Sequence, residues 1–126
     1  MRTWAVWIAL AAALWVAVKL LEPPAPEASQ EMSRTPGVRL FSRHECGRCH
    51  TLTAVPNARG TLGPRLDGLG KRAAERFRGR SAREYLHESL VAPGRFVVEG
   101  YVNGMPSYAQ LPPAELDELV RYLERQ

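Results

Sequence analysis

The feature that most constrains this chain is the run Cys46-Gly47-Arg48-Cys49-His50. The chain has only two cysteines, and both lie in this Cys-x-x-Cys-His pattern. In such a pattern the two thiols add to the vinyl groups of a haem, and the following histidine supplies a nitrogen to the iron. A globular part of about 90 residues is close to the size at which a core is marginal alone. A covalent haem would give such a chain a large apolar centre to fold around.

Other uses of a cysteine pair remain open at this point. A redox disulfide of the thioredoxin type needs a strand before the motif, and no alternating strand pattern leads into Cys46. A structural zinc site needs four ligands, for which His44, His50 and His87 are candidates. Two of these histidines flank the cysteines more tightly than the usual finger spacing allows. The pattern therefore favours haem and leaves zinc as an alternative.

Residues 1–21 predict a single transmembrane signal-anchor. Residues 3–21 are nearly all apolar, and as a helix they would span about 28 Å, close to the hydrocarbon thickness of a bilayer. All tryptophans of the chain, Trp4, Trp7 and Trp15, lie in this segment, as in an interfacial belt. A cleaved signal peptide is the alternative, but the small-residue cleavage sites are poor.

The charges around this segment predict its orientation. Arg2 precedes the segment and acidic residues follow it, which favours a cytoplasmic N-terminus. The rest of the chain would then face the periplasm or outer surface of a bacterial inner (cytoplasmic) membrane, the side on which haem c is attached. Residues 22–36 contain four prolines and predict an extended linker. The globular domain is predicted over residues 37–126.

Caps and periodicity predict three helices in the globular part. They cover Gly37 to His50, the stretch from the Ser81 N-cap with Glu84 to about Val91, and the segment after Pro112-Pro113. The last helix carries one apolar stripe, formed by Leu116, Leu119, Val120 and Leu123. Turn-forming residues fill 51–70, and 92–110 is also irregular. The predicted class is all-α with long loops.

The charge of the chain does not point to nucleic acid. The formal net charge is +4, acidic residues are interleaved with the basic ones, and no nucleic-acid-binding motif is present. The denser basic run between Lys71 and Arg83 predicts a solvated face or a docking patch for an acidic protein.

Residues 37–123 resemble a class I monohaem cytochrome c domain. The haem motif is followed by Thr51, and Gly63-Pro64-Arg65-Leu66 is similar to the Gly-Pro-x-Leu loop of that family. The stretch from Gly100 to Pro106 is similar to the loop that carries a distal Met-Pro pair. Leu111 to Leu123 is similar to the C-terminal helix, which would cross the first helix where Gly37 and Phe41 meet Tyr122.

The resemblance implies a small helical fold wrapped around one haem c, bound covalently through Cys46 and Cys49. It implies His50 and Met105 as the two axial ligands of the iron. The carbonyl of Pro64 would accept a hydrogen bond from the proximal histidine and orient it.

Two further residues are predicted from their place in the loops of the resembled family. Arg65 and Tyr101 are candidates for hydrogen bonds to a haem propionate.

These features predict a membrane-anchored electron carrier rather than an enzyme. It would transfer single electrons in a respiratory chain, from a quinol-oxidising complex to a terminal oxidase or reductase. A fixed haem c subunit of a larger membrane oxidoreductase is the alternative. An open-site haem enzyme or sensor is a further one, in which Met105 is not a ligand and the iron is five-coordinate or uses His87.

Overall fold

The computed structural model describes residues 3–21, 34–76 and 78–126. Within these ranges the chain forms five α-helices: α1 (Thr3–Leu21), α2 (Pro36–Arg43), α3 (Leu69–Arg76), α4 (Ala82–Val91) and α5 (Pro113–Glu124). Single 3-10 turns lie at Cys46–Arg48 and Pro93–Arg95. The described ranges contain no strand, only an isolated bridge between Thr51 and Arg59. The predicted all-α class is confirmed.

The chain divides into two units, Met1–Gln30 and Glu31–Gln126. The first unit holds α1, whose large apolar side chains are exposed, with Trp7 at 71 % and Leu21 at 81 %. In the part of the chain that the structure describes, no helix combines the length and apolarity needed to cross a bilayer. Most of the predicted linker, residues 22–33, lies outside the described residues, so the predicted domain boundaries stay predictions.

The core of the second unit is built on the crossing of α2 and α5. A Cβ atom on Gly37 would overlap the side chain of Tyr122, so only glycine lets the two backbones approach this closely. The Phe41 and Tyr122 rings then meet edge to face at 6.3 Å. Leu119 and Val120 of α5 are buried beside them. The predicted close crossing is confirmed.

Local sequence determines the start of α4. The Ser81 hydroxyl accepts a hydrogen bond from the Glu84 N–H at 3.2 Å, and the Glu84 carboxylate accepts one from the Ser81 N–H at 2.7 Å. This reciprocal cap satisfies two N–H groups at the helix end. The helix ends at Val91, and Tyr85, Leu86 and Leu90 form its buried stripe. The predicted helix is confirmed.

The predicted helix α5 is confirmed as well. It begins at Pro113, and its predicted apolar stripe is buried. On its solvent side Asp117 and Arg121 form an ion pair one turn apart, with 3.4 Å between carboxylate and guanidinium.

One prediction about helix extent was wrong, and one helix was not predicted. The first helix does not continue to His50, because α2 ends at Arg43 and Glu45 has a left-handed φ of 54°, a conformation that stops a right-handed helix. The haem-attachment motif therefore lies on a 3-10 turn.

The helix α3 was not predicted, because glycines at 68 and 70 indicate turns. It is stabilised by tertiary contact, since the Gly70 N–H donates to the Gln126 carbonyl at 3.1 Å and Ala73 is buried.

Candidate functional site

The second unit contains a largely apolar cavity of about 540 Å³. Most of its wall comes from the Cys-x-x-Cys-His motif, the loop around 62–66, the helix α4 and the loop 96–106, and single residues such as Phe41 of α2 and Leu123 of α5 complete it. Cys46, Cys49, His50, Tyr101 and Met105 all line it. The fold thus gathers onto one surface five side chains that the sequence places as far as 59 positions apart.

The 3-10 turn presents both cysteines to the cavity. The N–H groups of Cys49 and His50 donate to the carbonyl oxygen of Cys46, at 3.2 and 2.9 Å. Both thiols are free and partly buried. The tight turn therefore leaves each sulfur available for covalent attachment, with the histidine directly beside the second one.

Burial raises the pKa of two neighbouring groups on the cavity wall, Cys46 and Tyr108. Desolvation raises the pKa of the Cys46 thiol to about 11, against the lowering effect of a hydrogen bond with Tyr108. Desolvation also raises the pKa of the Tyr108 hydroxyl to about 12. That hydroxyl donates to the carbonyl of His44 at 3.4 Å. Both groups are therefore protonated and neutral at physiological pH.

The His50 ring is fixed by a hydrogen bond and by a close packing contact. Its Nδ1 lies 2.7 Å from the carbonyl oxygen of Pro64, the contact that the family resemblance implied. A carbonyl can only accept, so Nδ1 carries the proton and the Nε2 of the neutral ring has its lone pair free for a metal. A Cβ atom on Gly63 would overlap this ring, so glycine is needed beneath it.

Backbone hydrogen bonds bind the loop 60–66 to the motif. The N–H of Gly60 donates to the Gly47 carbonyl at 3.0 Å, and the N–H of Gly63 donates to the Cys49 carbonyl at 2.8 Å. The Thr51 hydroxyl also donates to the Gly60 carbonyl, at 2.8 Å. The sequence predicted the Gly-Pro loop but not these hydrogen bonds. They fix the position of the histidine relative to the two cysteines.

The loop with Met105 is attached to the rest of the domain mainly at its far end. The N–H of Tyr108 donates to the Leu90 carbonyl at 2.9 Å, and the Ser107 hydroxyl donates to the Val91 carbonyl at 2.7 Å. Met105 itself is partly buried and packs against the core. Met105 therefore lines the cavity from a segment that is separate from the histidine loop.

The structure does not bring Arg65 to the cavity wall. Its Nε lies 2.7 Å from the Asp67 carboxylate, and its guanidinium also donates to the Thr53 hydroxyl at 2.8 Å. These two partners occupy the guanidinium away from the cavity wall, and its hydrogen bond to a haem propionate stays a prediction. The backbone N–H of Thr53 and the Arg65 charge keep the pKa of Asp67 below its ordinary value.

His87, the other candidate ligand, is exposed on α4 and does not line the cavity.

The sequence did not indicate several aromatic residues of the cavity wall. Tyr85, Phe96, Tyr108 and His44 line it, and the His44 and Tyr108 rings pack edge to face at 5.6 Å. The buried stripe of α4 identified Tyr85 as a core residue, whereas nothing local indicated that Phe96 would face the site.

The donor set fits haem c. It combines two unpaired thiols, a histidine with its Nε2 free, and a thioether, all on an apolar cavity. A family model described as cytochrome c oxidase, cbb3-type, subunit III matches residues 33–123. The chain belongs to this cytochrome c family. A search of curated proteins finds no match.

Membership of a cytochrome c family resolves the alternative uses of the cysteine pair. The cytochrome c domain carries covalent haem c, with Cys46 and Cys49 in the attachment spacing. The zinc and redox-disulfide interpretations of the cysteine pair are therefore set aside, and haem-based electron transfer is the activity of the domain.

Proposed function

We propose that this chain is a membrane-anchored electron carrier of a bacterial respiratory chain, with His50 and Met105 as the axial ligands of its haem c. The observation that carries the proposal is the convergence of both cysteines and both ligand candidates on one apolar cavity. The bound haem supplies a one-electron couple.

The residues of the chain suit a closed electron-transfer site. Pro64 orients the histidine through the 2.7 Å contact, which also makes the ring a stronger ligand. A thioether such as that of Met105 favours the reduced iron and raises the reduction potential. With both axial positions filled by protein, oxygen or carbon monoxide would have to displace a ligand in order to bind.

The rim of the cavity supports contact with a redox partner through apolar groups. Leu62 and Val102 are 70 % and 80 % exposed at this rim. The charged lining residues Glu45 and Arg48 pair with each other at 3.1 Å. We therefore expect electron transfer to a partner to depend only weakly on ionic strength, rather than to be steered by a basic surface.

The basic run between Lys71 and Arg83 contributes less free charge than its composition suggests. Arg83 pairs with Asp117 at 2.8 Å and with Glu124 at 3.3 Å, and Arg80 pairs with Glu88. This pairing favours a solvated face over an acidic-protein docking patch for that part of the run.

The proposed anchor rests on the apolar sequence of residues 3–21 and on exposed side chains such as Trp4, Trp7 and Trp15. We expect the full chain to stay in bacterial membranes through alkaline carbonate washing and to leave them only in detergent. A chain that starts at residue 34, exported by a cleavable signal, should be released with an unchanged haem spectrum. Release of the full chain by carbonate would contradict the anchor.

An absorption spectrum of the purified holoprotein tests the closed site. We expect a low-spin c-type spectrum in both redox states, no response of the reduced form to carbon monoxide, and a near-infrared band of methionine ligation. A high-spin spectrum that shifts with carbon monoxide would instead indicate an open-site haem enzyme or sensor.

The family description favours a second candidate, a fixed haem c subunit of a larger membrane oxidase. Purification in mild detergent separates the two. A mobile carrier is expected to purify alone, and a quinol-oxidising complex should reduce it at a rate proportional to its concentration. Constant stoichiometry with other haem- or copper-containing subunits would support the fixed subunit.

A further inference from the structure

Arg76, the last residue of α3, lies behind the apolar wall of the haem cavity. The carbon at the centre of its guanidinium lies 5.6 Å from the ring centroid of Phe96 and 5.9 Å from that of Tyr85. The two rings meet edge to face at 6.0 Å, and both line the cavity. These distances are typical of cation–π contact, so the side chain that holds the cation is in contact with the wall of the site.

The positive charge of Arg76 is not neutralised by a carboxylate. Across the described ranges no acidic side chain pairs with it, and its Nε is buried without a hydrogen-bond partner. Arg83 and Arg95 differ from it, since Arg83 pairs with Asp117 and Arg95 pairs with Glu88, and Arg72 of the same helix donates to the carbonyls of Asp67 and Arg65. Near a low-dielectric cavity an uncompensated charge acts more strongly than it would in water.

We infer that Arg76 raises the reduction potential of the haem by holding a cation against the aromatic wall of its cavity. The inference rests on the proposed electron-transfer function. Reduction removes one unit of positive charge from the iron, so a fixed cation nearby favours the reduced state. Arg76 also holds Phe96 at the start of the loop that carries Met105, so its test must separate charge from packing.

The experiment is a spectroelectrochemical titration of the full-length holoprotein with variants at this position. Arg76→Gln and Arg76→Met remove the charge and should lower the midpoint potential, while the spectrum stays low-spin. Arg76→Lys keeps the charge and should retain most of the parent potential. Lys71→Met is the matched control, because it removes an exposed cation from the same helix and should leave the potential unchanged.

Each contrary result has a defined meaning. A parent potential in Arg76→Gln with an intact low-spin spectrum would overturn the inference, and so would an equal fall in Arg76→Lys and Arg76→Gln. If Arg76→Met does not load haem, the midpoint potentials of Arg76→Gln and Arg76→Lys still test the inference. The difference between that pair should persist at high salt, because Arg76 is only partly exposed. A parent protein without a low-spin haem would defeat the proposed function instead.

Discussion

The two sides of the haem cavity are built in different ways. On the histidine side, the loop 60–66 is bound to the motif by successive backbone hydrogen bonds, including those from Gly60 and Gly63. On the methionine side, the loop 96–106 makes backbone bonds within itself, such as Gly104 to Val102 at 2.9 Å. The Phe96 ring packs against Tyr85 at the start of this loop, and hydrogen bonds to α4 follow from residue 107 onward.

This difference indicates that the two proposed ligands, His50 and Met105, have different tolerance for change. The histidine is preorganised by the same bonds that shape the motif, so disturbing it should disturb the fold and haem loading together. Among the described residues the loop of Met105 makes no such backbone bonds to the motif, so we expect changes there to alter potential and ligation while the haem stays bound.

The largest effect is expected from a methyl group added beneath the histidine. Gly63→Ala would place a Cβ atom within the His50 ring, and overpacking of this kind costs about 1–3 kcal/mol. We expect poor haem loading and a lower unfolding temperature. Gly104→Ala is the matched control on the methionine side, where the nearest atom to the new Cβ lies at 3.8 Å. Equal loss in both variants would show that the two sides do not differ.

The next effect concerns the distal ligand alone. Met105→Ala should leave the haem covalently bound and His50 in place, lower the midpoint potential, and let the reduced protein bind carbon monoxide. Spectra and a redox titration check this. An unchanged midpoint potential and no response to carbon monoxide would show that Met105 is not an iron ligand. That result would contradict the proposed closed site.

A pair of hydroxyl deletions compares the two loops directly. Thr51→Val removes the 2.8 Å hydrogen bond to Gly60 at a partly buried site and should lower the free energy of unfolding by about 1 kcal/mol. Ser107→Ala, just after the methionine loop, removes the 2.7 Å bond to Val91 and the 3.3 Å bond accepted from the Ala109 N–H, both at an exposed site, and should lower the free energy of unfolding less. Denaturant unfolding of both holoproteins measures the difference, and a larger cost for Ser107→Ala would reverse the proposed order of rigidity.

The smallest effect is expected in how the stability of the histidine side depends on pH. The pKa of Asp67 is lowered, first by the Thr53 N–H and also by Arg65, so its stabilising contribution is present above the pKa of the unfolded chain. That contribution is lost as the pH falls through the lower pKa of the folded state. The free energy of unfolding of Asp67→Asn should therefore depend less on pH in the acid range than that of the parent protein. If the variant keeps the full acid dependence, other carboxylates are its cause.

The sequence predicted those parts of the fold that depend on neighbours in the chain. The cap of α4 is formed by Ser81 and Glu84 three residues apart, and the stripe of α5 is periodic, so both could be identified locally. The end of α2 and the existence of α3 could not. Glu45 adopts its conformation within the folded motif, and α3 is stabilised by contact between Gly70 and Gln126.

The same division applies to the site. The cysteines and His50 form a contiguous motif, and Met105 followed from the resemblance to a family. The propionate role of Arg65 was predicted from loop position, but its guanidinium is engaged by Asp67 only two residues away, an interaction that a loop sequence does not reveal. The stacking of Arg76 on Phe96 depends on how α3 packs, and α3 itself was not predicted.

The crossing of α2 and α5 also sets an order of events in the making of this protein. Gly37 leaves the ribosome well before Tyr122, its partner in the crossing, so α2 must wait for α5 before it has a surface to pack against. The cavity wall includes Leu123 of that last helix. Until α5 has been synthesised, the pocket lacks one wall and the thiols of Cys46 and Cys49 are more accessible than in the finished fold. We therefore expect a chain truncated before Pro113 to be a substrate for haem attachment that never matures into a stable domain.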